Sequence, residues 1–324
     1  MPRNAAGVYT LPATYLAVTG EVATAAQHND PLEDIAVALN DPASYAPGRQ
    51  SGGRLCISTG APAGDANLST SIYFTPYKHN IIWLCDVVGT WTSYKFTEIN
   101  FALGSGMTAG LPYDIFIYYN SGALTMERVA WSTTTARASA IARQDGVWVK
   151  SSAINRRYLG TFVPASATAA VDNKTNRYLW NVENRIPRVM RAVESTDSWT
   201  YTTATMRQVR GDSANQLNFV RGLDEDPVEA TAASAASNAN NCTVATAIGL
   251  DSTAIRATDS VGAYYTIPAG LLNGGTSHYR GLPGIGLHYL SWLEYSAASG
   301  TTTWYGDNGT PDISQNGIIG TCMA

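Results

Sequence analysis

Short segments with the alternating pattern of β-strands, separated by turn residues, recur along most of this 324-residue chain. Examples are SIYFTPY, IIWLCDV and YDIFIYYN, with turn signals at Asn120-Ser121-Gly122 and Asp145-Gly146. The 18 tyrosines and 8 tryptophans are plentiful for this length, whereas long runs with helical spacing are scarce. Aromatic and β-branched side chains fit pleated, half-buried surfaces. The sequence therefore predicts an all-β protein.

Two stretches without strand pattern divide the chain. Residues 46–53 lie in the Pro, Gly and Ser-rich segment DPASYAPGRQSGG and are predicted to be a linker. Residues 166–176 are predicted to be a spacer. Between them, residues 54–165 predict a small β domain, in which TTTARASAIARQDG favours one short helix. Residues 177–324 contain ten strand candidates, which predicts a jelly-roll-like β-sandwich.

The composition excludes several classes of partner. Charged residues make up 14% of the chain and the net charge is -4, so there is no basic field for a phosphate backbone, and no nucleic acid is expected. No apolar run reaches the ~18 residues of a membrane span, so no membrane insertion is expected. The four cysteines are far apart and form no C-x-x-C pair, which predicts buried thiols. We expect no cofactor and no structural metal.

The first 45 residues predict a segment that cannot fold alone. In MPRNAAGVYTLPA, Gly7 and Pro12 bracket four extended residues, too few to bury their own apolar side chains. The following segment HNDPLEDIAVALND predicts a helix, with Pro31 in its first turn and apolar residues at helical spacing. Isolated helices of two to three turns are marginal in water. Both pieces therefore require a partner surface.

This N-terminal segment resembles one found in many tailed-bacteriophage fibre and appendage proteins, with the pattern M-P-R-N-x-x-G-x-Y-x-L-P followed by L-x-D-I-A-x-A-L. The resemblance implies that residues 1–45 anchor the chain to other virion proteins of the tail, neck or capsid. It also implies a homotrimer that is assembled in the bacterial cytoplasm and located in the virion. The residues expected to make the anchoring contacts are Arg3, Asn4, Tyr9, Leu11, Leu32, Ile35 and Leu39.

No pattern for catalysis or for metal binding stands out. The chain has no G-x-S-x-G motif, and the spacing of its four histidines nominates no triad, so we predict that it is not an enzyme. The acidic runs Asp224 to Asp226 and Asp307 to Asp312 contain the oxygen ligands that calcium prefers, but solvated turns are the favoured interpretation. Paired carboxylates of a polysaccharide depolymerase remain an alternative, because their separation depends on the fold.

Aromatic residues near Asn-Gly turns are the main candidates for binding. A flat ring can support a sugar while neighbouring polar groups contact its hydroxyls. Loops at 273–279 and 304–312 are expected to present such residues at one end of the sandwich. The candidate contacts to a glycan or receptor, such as a host surface polysaccharide, are Trp304, Tyr305, Asp307, Asn308, Asn273 and His278. Most of the other aromatic residues are expected in the core or at subunit interfaces.

Together these features predict a virion structural protein. The first hypothesis is a tail fibre, spike or head/neck fibre subunit that is attached by its N-terminus and contacts the host surface. The second is a capsid or neck decoration protein with a mechanical role. The polysaccharide depolymerase is the third.

Overall fold

The computed structural model describes residues 49–309 and 314–324, and Ser51–Ala324 form one compact unit. The described part of that unit contains 26 β-strands and a 3₁₀ turn at Val209–Gly211. The predicted all-β class is therefore confirmed. In the described residues, no helix has the length and apolar character needed to cross a membrane.

The two helices expected from the sequence have different outcomes. The N-terminal helix and all seven anchoring residues lie outside the described part of the chain. The helix favoured for residues 133–146 is wrong, because Ile141–Gln144 is a strand that forms a hairpin with Val147–Lys150. Asp145 and Gly146 both have positive φ in the hairpin turn, at 50° and 87°. Cross-strand pairing through this turn overrides a weak helical preference.

The first fourteen strands build several sheets. They are β1 Gly53–Cys56, β2 Ala66–Ser69, β3 Ser71–Pro76, β4 Ile81–Cys85, β5 Trp91–Lys95, β6 Ile99–Ala102, β7 Tyr113–Asn120, β8 Ala123–Ala130, β9 Ile141–Gln144, β10 Val147–Lys150, β11 Ala153–Phe162, β12 Ala170–Asp172, β13 Asn176–Arg177 and β14 Leu179–Asn181. The largest sheet has the order β8-β7-β11-β10-β9, with β14 also paired to β11. Smaller sheets have the orders β1-β3-β6, β12-β2 and β4-β5.

The remaining strands form a sandwich with β13. They are β15 Pro187–Val193, β16 Ser198–Thr200, β17 Arg207–Gln208, β18 Gln216–Arg221, β19 Val228–Asn238, β20 Cys242–Leu250, β21 Ser260–Gly262, β22 Tyr264–Ile267, β23 Leu272–Gly281, β24 Gly286–Ser296, β25 Thr302–Tyr305 and β26 Gly317–Met323. One sheet, here called sheet A, has the order β13-β18-β24-β20-β22, with β17 paired to β24. The other, sheet B, has the order β15-β26-β19-β23-β21, with β25 paired to β19 and β16 to β25.

Sheets A and B bury their facing side chains against each other. The indole of Trp292 on β24 donates a hydrogen bond to Ser234 Oγ on β19 at 2.9 Å, and Ile248 and Ala232 belong to the same buried cluster. Strand β19 alternates buried and partly exposed residues along its whole length, as expected for a strand with one face in a core. The predicted β-sandwich is present in this part of the chain.

The largest sheet of the first part is covered on both faces. Ile115 and Ile117 of β7 point into a cluster with the smaller sheets, whereas Phe116 between them belongs to the cluster that fills the sandwich. Tyr158 on β11 and Trp180 on β14 lie beside Phe116 in that second cluster. This explains the nearly continuous apolar run in β7, which is typical of strands buried on both faces. One hydrophobic cluster thus extends across the predicted boundary at 166–176.

A buried ion cluster also crosses this boundary. Arg188 on β15 donates to Asp65 Oδ1 at 2.8 Å and to Asp172 Oδ2 at 2.9 Å. Arg177 on β13 donates to the same Asp65 oxygen at 2.6 Å and lies 3.7 Å from Asp172 Oδ2. Asp172 and both arginines are buried. Two carboxylates and two guanidinium groups neutralise one another, which permits charge at this depth.

The buried carboxyl of Asp172 should make stability depend on pH. Burial raises its pKa from 3.8 to about 6, although Arg188 and Arg177 oppose this shift. Because the folded state binds this proton more tightly, the stabilisation is complete below pH 3.8 and is lost as the pH rises through about 6. At 1.36 kcal/mol per pKa unit, the full change in the free energy of unfolding is about 3 kcal/mol. Wild type should therefore lose stability relative to Asp172→Asn between pH 4 and pH 7.

Thermal unfolding of both proteins across that pH range measures this loss. The difference between the two melting temperatures is the quantity to follow, because it removes most of the contribution of the other titrating groups. A difference that is independent of pH, or that changes in favour of wild type as the pH rises, would contradict the prediction.

Candidate functional site

The outer face of sheet B is a candidate site. Successive side chains of a strand point to opposite faces, and directly paired residues share a face. The register places Arg191, Ile319, Thr231, His278 and Val261 in one row across five strands. Their neighbours along each strand point into the core. Side chains from five separate parts of the sequence therefore meet on one surface.

Three branched aliphatic residues are exposed on this face. Val189 is 49% exposed, Ile319 51% and Val261 64%. They line a groove of about 530 Å³, here called the sheet groove, together with His278 and the residues around it. Exposed apolar side chains that are grouped on one sheet face, unlike isolated ones, are typical of contact surfaces.

The charges on this face are largely balanced. Arg280 Nε lies 3.0 Å from Glu229 Oε1, and the two side chains are 71% and 55% exposed. His278 Nδ1 shares a hydrogen bond of 2.9 Å with Thr231 Oγ1. Tyr279 also lines the groove, but its ring is buried within the sandwich, so it offers no flat face to a sugar. The surface therefore combines aliphatic side chains with paired polar and charged groups.

Trp304 cannot make the predicted glycan contact. Strand β25 extends over Thr302–Tyr305, and its alternation turns Thr302 and Trp304 inward. The Trp304 ring is fully buried beside Ala236 and Val244, and its Nε1 donates to the carbonyl of Tyr201 at 3.3 Å. The sequence interpretation placed this tryptophan in a loop, whereas strand pairing places it in the core.

The predicted loop at 273–279 is also a strand. Residues Leu272–Gly281 form β23, which pairs with β19 along most of its length. Glycine suits position 275 because a Cβ there would lie 2.2 Å from the ring of Tyr265. Asn273 donates to the carbonyl of Thr266 at 2.8 Å. Because Asn273 and His278 are an odd number of residues apart, the pleat sends their side chains to opposite faces.

The remaining predicted contacts lie at the end of β25. Tyr305 points to the outer side of sheet B, where its hydroxyl shares a hydrogen bond of 2.9 Å with Ser237 Oγ. Asp307 Oδ1 accepts a hydrogen bond from the backbone N–H of Gly309 at 3.3 Å, and Asn308 between them is exposed with a φ of 52°. These residues form a turn. Their role in receptor contact stays a prediction.

The acidic run at 224–226 faces arginines. Asp224 accepts from Arg221 at 2.9 Å and Glu225 from Arg185 at 2.7 Å, while Asp226 also pairs with Arg185. In residues 49–309 and 314–324, no group of three or more His, Cys, Asp or Glu side chains is placed to hold a metal ion. All four cysteines are buried, and none of them is in a disulfide.

The sequence reasoning missed the apolar residues of the sheet groove. In the strand PRVMRAV, polar and apolar residues alternate only in part, because apolar residues occur on both faces. The pattern therefore does not show which set of alternate residues faces the core. The structure buries Arg188 and exposes Val189, because Arg188 has the ion cluster as its partner. The exposed valine could have been found only by knowing where the two aspartates lie.

Comparisons with known proteins leave the chain without an assigned family. No protein-family model and no curated protein matches it. A tryptic core variant of Cry1Da from Bacillus thuringiensis aligns over 79% of this chain and 48% of its own, with 8% identity and a TM-score of 0.18. The chain thus spans about half the length of that protein.

Two further solved structures are equally distant. A carbohydrate-binding module of the β-sandwich superfamily aligns over 80% of this chain and 97% of its own, with 11% identity and a TM-score of 0.18. The structure of infectious bursal disease virus, Gx strain, aligns over 84% of this chain and 75% of its own, with 12% identity and a TM-score of 0.21. TM-scores this low do not establish a shared fold. The strand pairing of the described residues defines a β-sandwich protein. Its role must be inferred from its own features.

Proposed function

We propose that this chain is a non-enzymatic structural subunit of a bacteriophage virion: a tail fibre, spike or head/neck fibre attached by residues 1–45. The observation that carries this proposal is the motif MPRNAAGVYTLPA followed by LEDIAVAL, which resembles the attachment segment of phage appendage proteins. The described remainder supports it as a rigid β scaffold, with apolar clusters that lie within residues 51–324. Such a scaffold suits a mechanical or presenting role.

The outer face of sheet B is proposed as the contact between copies in a homotrimer. Three copies of one sheet face can meet around a three-fold axis, where each covers the aliphatic residues of the others. Small residues at the centre of the face, such as Ala233 and Gly317, permit close approach. Because Glu229 and Arg280 balance each other, this pair adds little repulsion when like faces meet.

The proposal of a non-enzymatic role is supported by the surroundings of two buried glutamates. Glu294 is fully buried and accepts from Trp199 Nε1 at 2.7 Å and Arg207 Nε at 2.8 Å. Glu194 accepts from Arg210 at 3.0 Å and from Asn215 at 2.9 Å. Carboxyl groups that cleave a glycosidic bond must contact the sugar. These two instead face neighbouring side chains.

A capsid or neck decoration protein is the second candidate. The same uncovered aliphatic face supports it, because lateral contact with a capsid surface would also cover Val189 and Ile319. The two candidates differ in what happens when the protein is lost. Particles that lack a host-contacting fibre should stay intact but adsorb poorly, whereas particles that lack a decoration protein should adsorb normally but break more easily.

Deleting residues 1–45 tests the attachment. The remaining chain should stay folded, with a melting temperature close to that of the full-length protein, because the described hydrophobic clusters lie outside the deletion. Phage whose genome carries the deletion should assemble particles without this protein, as measured by mass spectrometry of purified virions. A matched variant, Leu32→Glu with Ile35→Glu, should give the same loss. If the shortened protein enters virions at the wild-type level, or if it unfolds, residues 1–45 are not a separate anchor.

A further inference from the structure

The outer face of sheet A carries a row of amide side chains that the sequence did not indicate. Directly paired residues of neighbouring strands share a face, and this one points away from the cluster that fills the sandwich. The row, here called the amide strip, consists of Gln208, Gln216, Asn218 and Asn176. Its members lie on β17, β18 and β13, whereas the glycan contacts predicted from the sequence lie on β23, on β25 and in the turn after it.

Hydrogen bonds join the four amides in one direction. Gln208, which is buried, donates from Nε2 to Gln216 Oε1 at 3.2 Å. Gln216 Nε2 then donates to Asn218 Oδ1 at 2.8 Å, and Asn218 Nδ2 donates to Asn176 Oδ1 at 3.0 Å. A primary amide has two N–H donors and two acceptor lone pairs. Each of the three partly exposed amides therefore keeps at least one donor and one acceptor for a ligand.

An aromatic ring lies beside the amide strip. Tyr289 on β24 is directly opposite Asn218, and paired residues on one face have Cβ atoms about 5 Å apart. The backbone N–H of Tyr289 donates to Asp251 Oδ1 at 3.0 Å, and its carbonyl accepts from the backbone N–H of Asp251 at 3.0 Å. These bonds fix the backbone that carries the partly exposed ring. One ligand can therefore contact the ring and the amides together.

The sheet face is covered on either side of this ring. Two residues before Tyr289, the backbone N–H of Leu287 donates to the carbonyl of Thr134 at 2.8 Å. Val220, which pairs with Leu287, is only 2% exposed. Four residues after Tyr289, Leu293 is fully buried. The amide strip and the ring thus share a short opening between covered parts of the sheet.

Neither charge nor free backbone groups dominate this opening. The amide strip itself is uncharged. Beside it, the carboxylate of Asp251 shares a hydrogen bond of 2.8 Å with His288 Nδ1, and Lys174 is exposed in the turn before β13. These two neighbours have opposite charges. Strands β18 and β24 each have a paired strand on both sides, so neither of them offers an edge on which a peptide could extend the sheet.

We propose that the amide strip and Tyr289 bind an uncharged saccharide. The apolar face of one sugar ring would lie against the tyrosine ring, while its hydroxyls exchange hydrogen bonds with Asn218 and Gln216. A hydroxyl both donates and accepts, which matches amides that keep both kinds of group, whereas an anion would use only their donors and a cation only their acceptors. This proposal is independent of the attachment to a virion and of the contact between copies.

Binding of neutral tetrasaccharides to the full-length protein tests the site. Cellotetraose, maltotetraose and mannotetraose are the probes, and tetragalacturonate and a tetraglutamine peptide are the comparison ligands. Saturation-transfer NMR and calorimetry should show that wild type binds at least one neutral probe. Both comparison ligands should bind more weakly, because one adds charge and the other lacks a sugar ring.

Substitutions assign the binding to this face. Tyr289→Ala should weaken binding of the neutral probe about tenfold, because the stacking surface is lost, and Tyr289→Phe should retain it. Asn218→Ala should also weaken binding about tenfold, because it removes hydrogen-bonding groups and interrupts the amide strip. Tyr264→Ala is the matched control, at a tyrosine that is 75% exposed on the edge strand β22 of the same sheet, and should change nothing.

Three results would overturn the proposal. These are the absence of binding of every neutral probe by wild type, unchanged affinity in Tyr289→Ala, and binding of either comparison ligand as tight as that of the neutral probes. Thermal unfolding of each variant shows whether it is folded before its affinity is interpreted. Because all of these measurements use the isolated protein, they do not depend on its proposed role in a virion.

Discussion

Replacing Arg137 by alanine is expected to lower the free energy of unfolding by about 3 to 5 kcal/mol. Arg137 Nε donates to Asp114 Oδ2 at 2.7 Å, and its Nη2 donates to the carbonyl of Gly222 at 2.7 Å and to Tyr158 Oη at 3.1 Å. Asp114 is only 2% exposed. Without the guanidinium, a buried carboxylate loses its cation and the carbonyl of Gly222 loses this donor. Thermal and guanidinium denaturation measure the loss.

An exposed ion pair provides the control for this experiment. Arg143 lies 3.7 Å from Glu225 Oε1, outside the proposed contact between copies, and the two side chains are 52% and 38% exposed. Arg143→Ala should therefore change the stability by no more than about 1 kcal/mol. Similar losses in Arg137→Ala and Arg143→Ala would show that burial does not control the energetics of these pairs. Arg137 joins Asp114 of β7 to Gly222, which directly follows β18. We therefore also expect its loss to loosen the packing around both β7 and the end of β18.

Ile319→Glu is expected to abolish self-association. Ile319 is half exposed in the single chain, so a glutamate there remains hydrated and the monomer should fold. In the proposed trimer the same carboxylate would be buried together with Arg191, its directly paired residue on β15, and taking these charges out of water costs several kcal/mol. We therefore expect the dissociation constant of the assembly to rise by roughly 100-fold or more, at about 1.4 kcal/mol per factor of ten. Light scattering and analytical ultracentrifugation measure the mass.

A matched substitution separates this effect from a general effect of added charge. Ile255 is 71% exposed and lies in the loop between β20 and β21, so Ile255→Glu should leave the assembly intact. If wild type is a monomer at all accessible concentrations, or if Ile319→Glu assembles as wild type does, the outer face of sheet B is not the contact between copies.

The all-β class and the sandwich could be predicted from sequence because their signals are local. Alternation in GLHYLSWLEYS and turn residues such as Asp145-Gly146 depend on neighbours a few positions away. The candidate sites could not be predicted in this way. Trp304 and Tyr305 are adjacent, yet the pleat of β25 buries the first and turns the second outward. Which of the two sets of alternate residues faces the core depends on the strand that pairs with β25.

The sequence by itself determined the strand-rich class, the balance of charge and the N-terminal motif on which the attachment proposal rests. The tertiary structure decided which side chains are available. It exposes Val189 because Arg188 is buried with Asp65 and Asp172, to which it donates hydrogen bonds. Asp65 is 123 positions from Arg188 in the sequence and Asp172 is 16 positions away. The tertiary structure also brings Tyr94 beside Tyr119 from two different hairpins. Such contacts arise from pairing between strands that are distant in sequence. The local alternation of residues within one strand does not depend on which strand pairs with it.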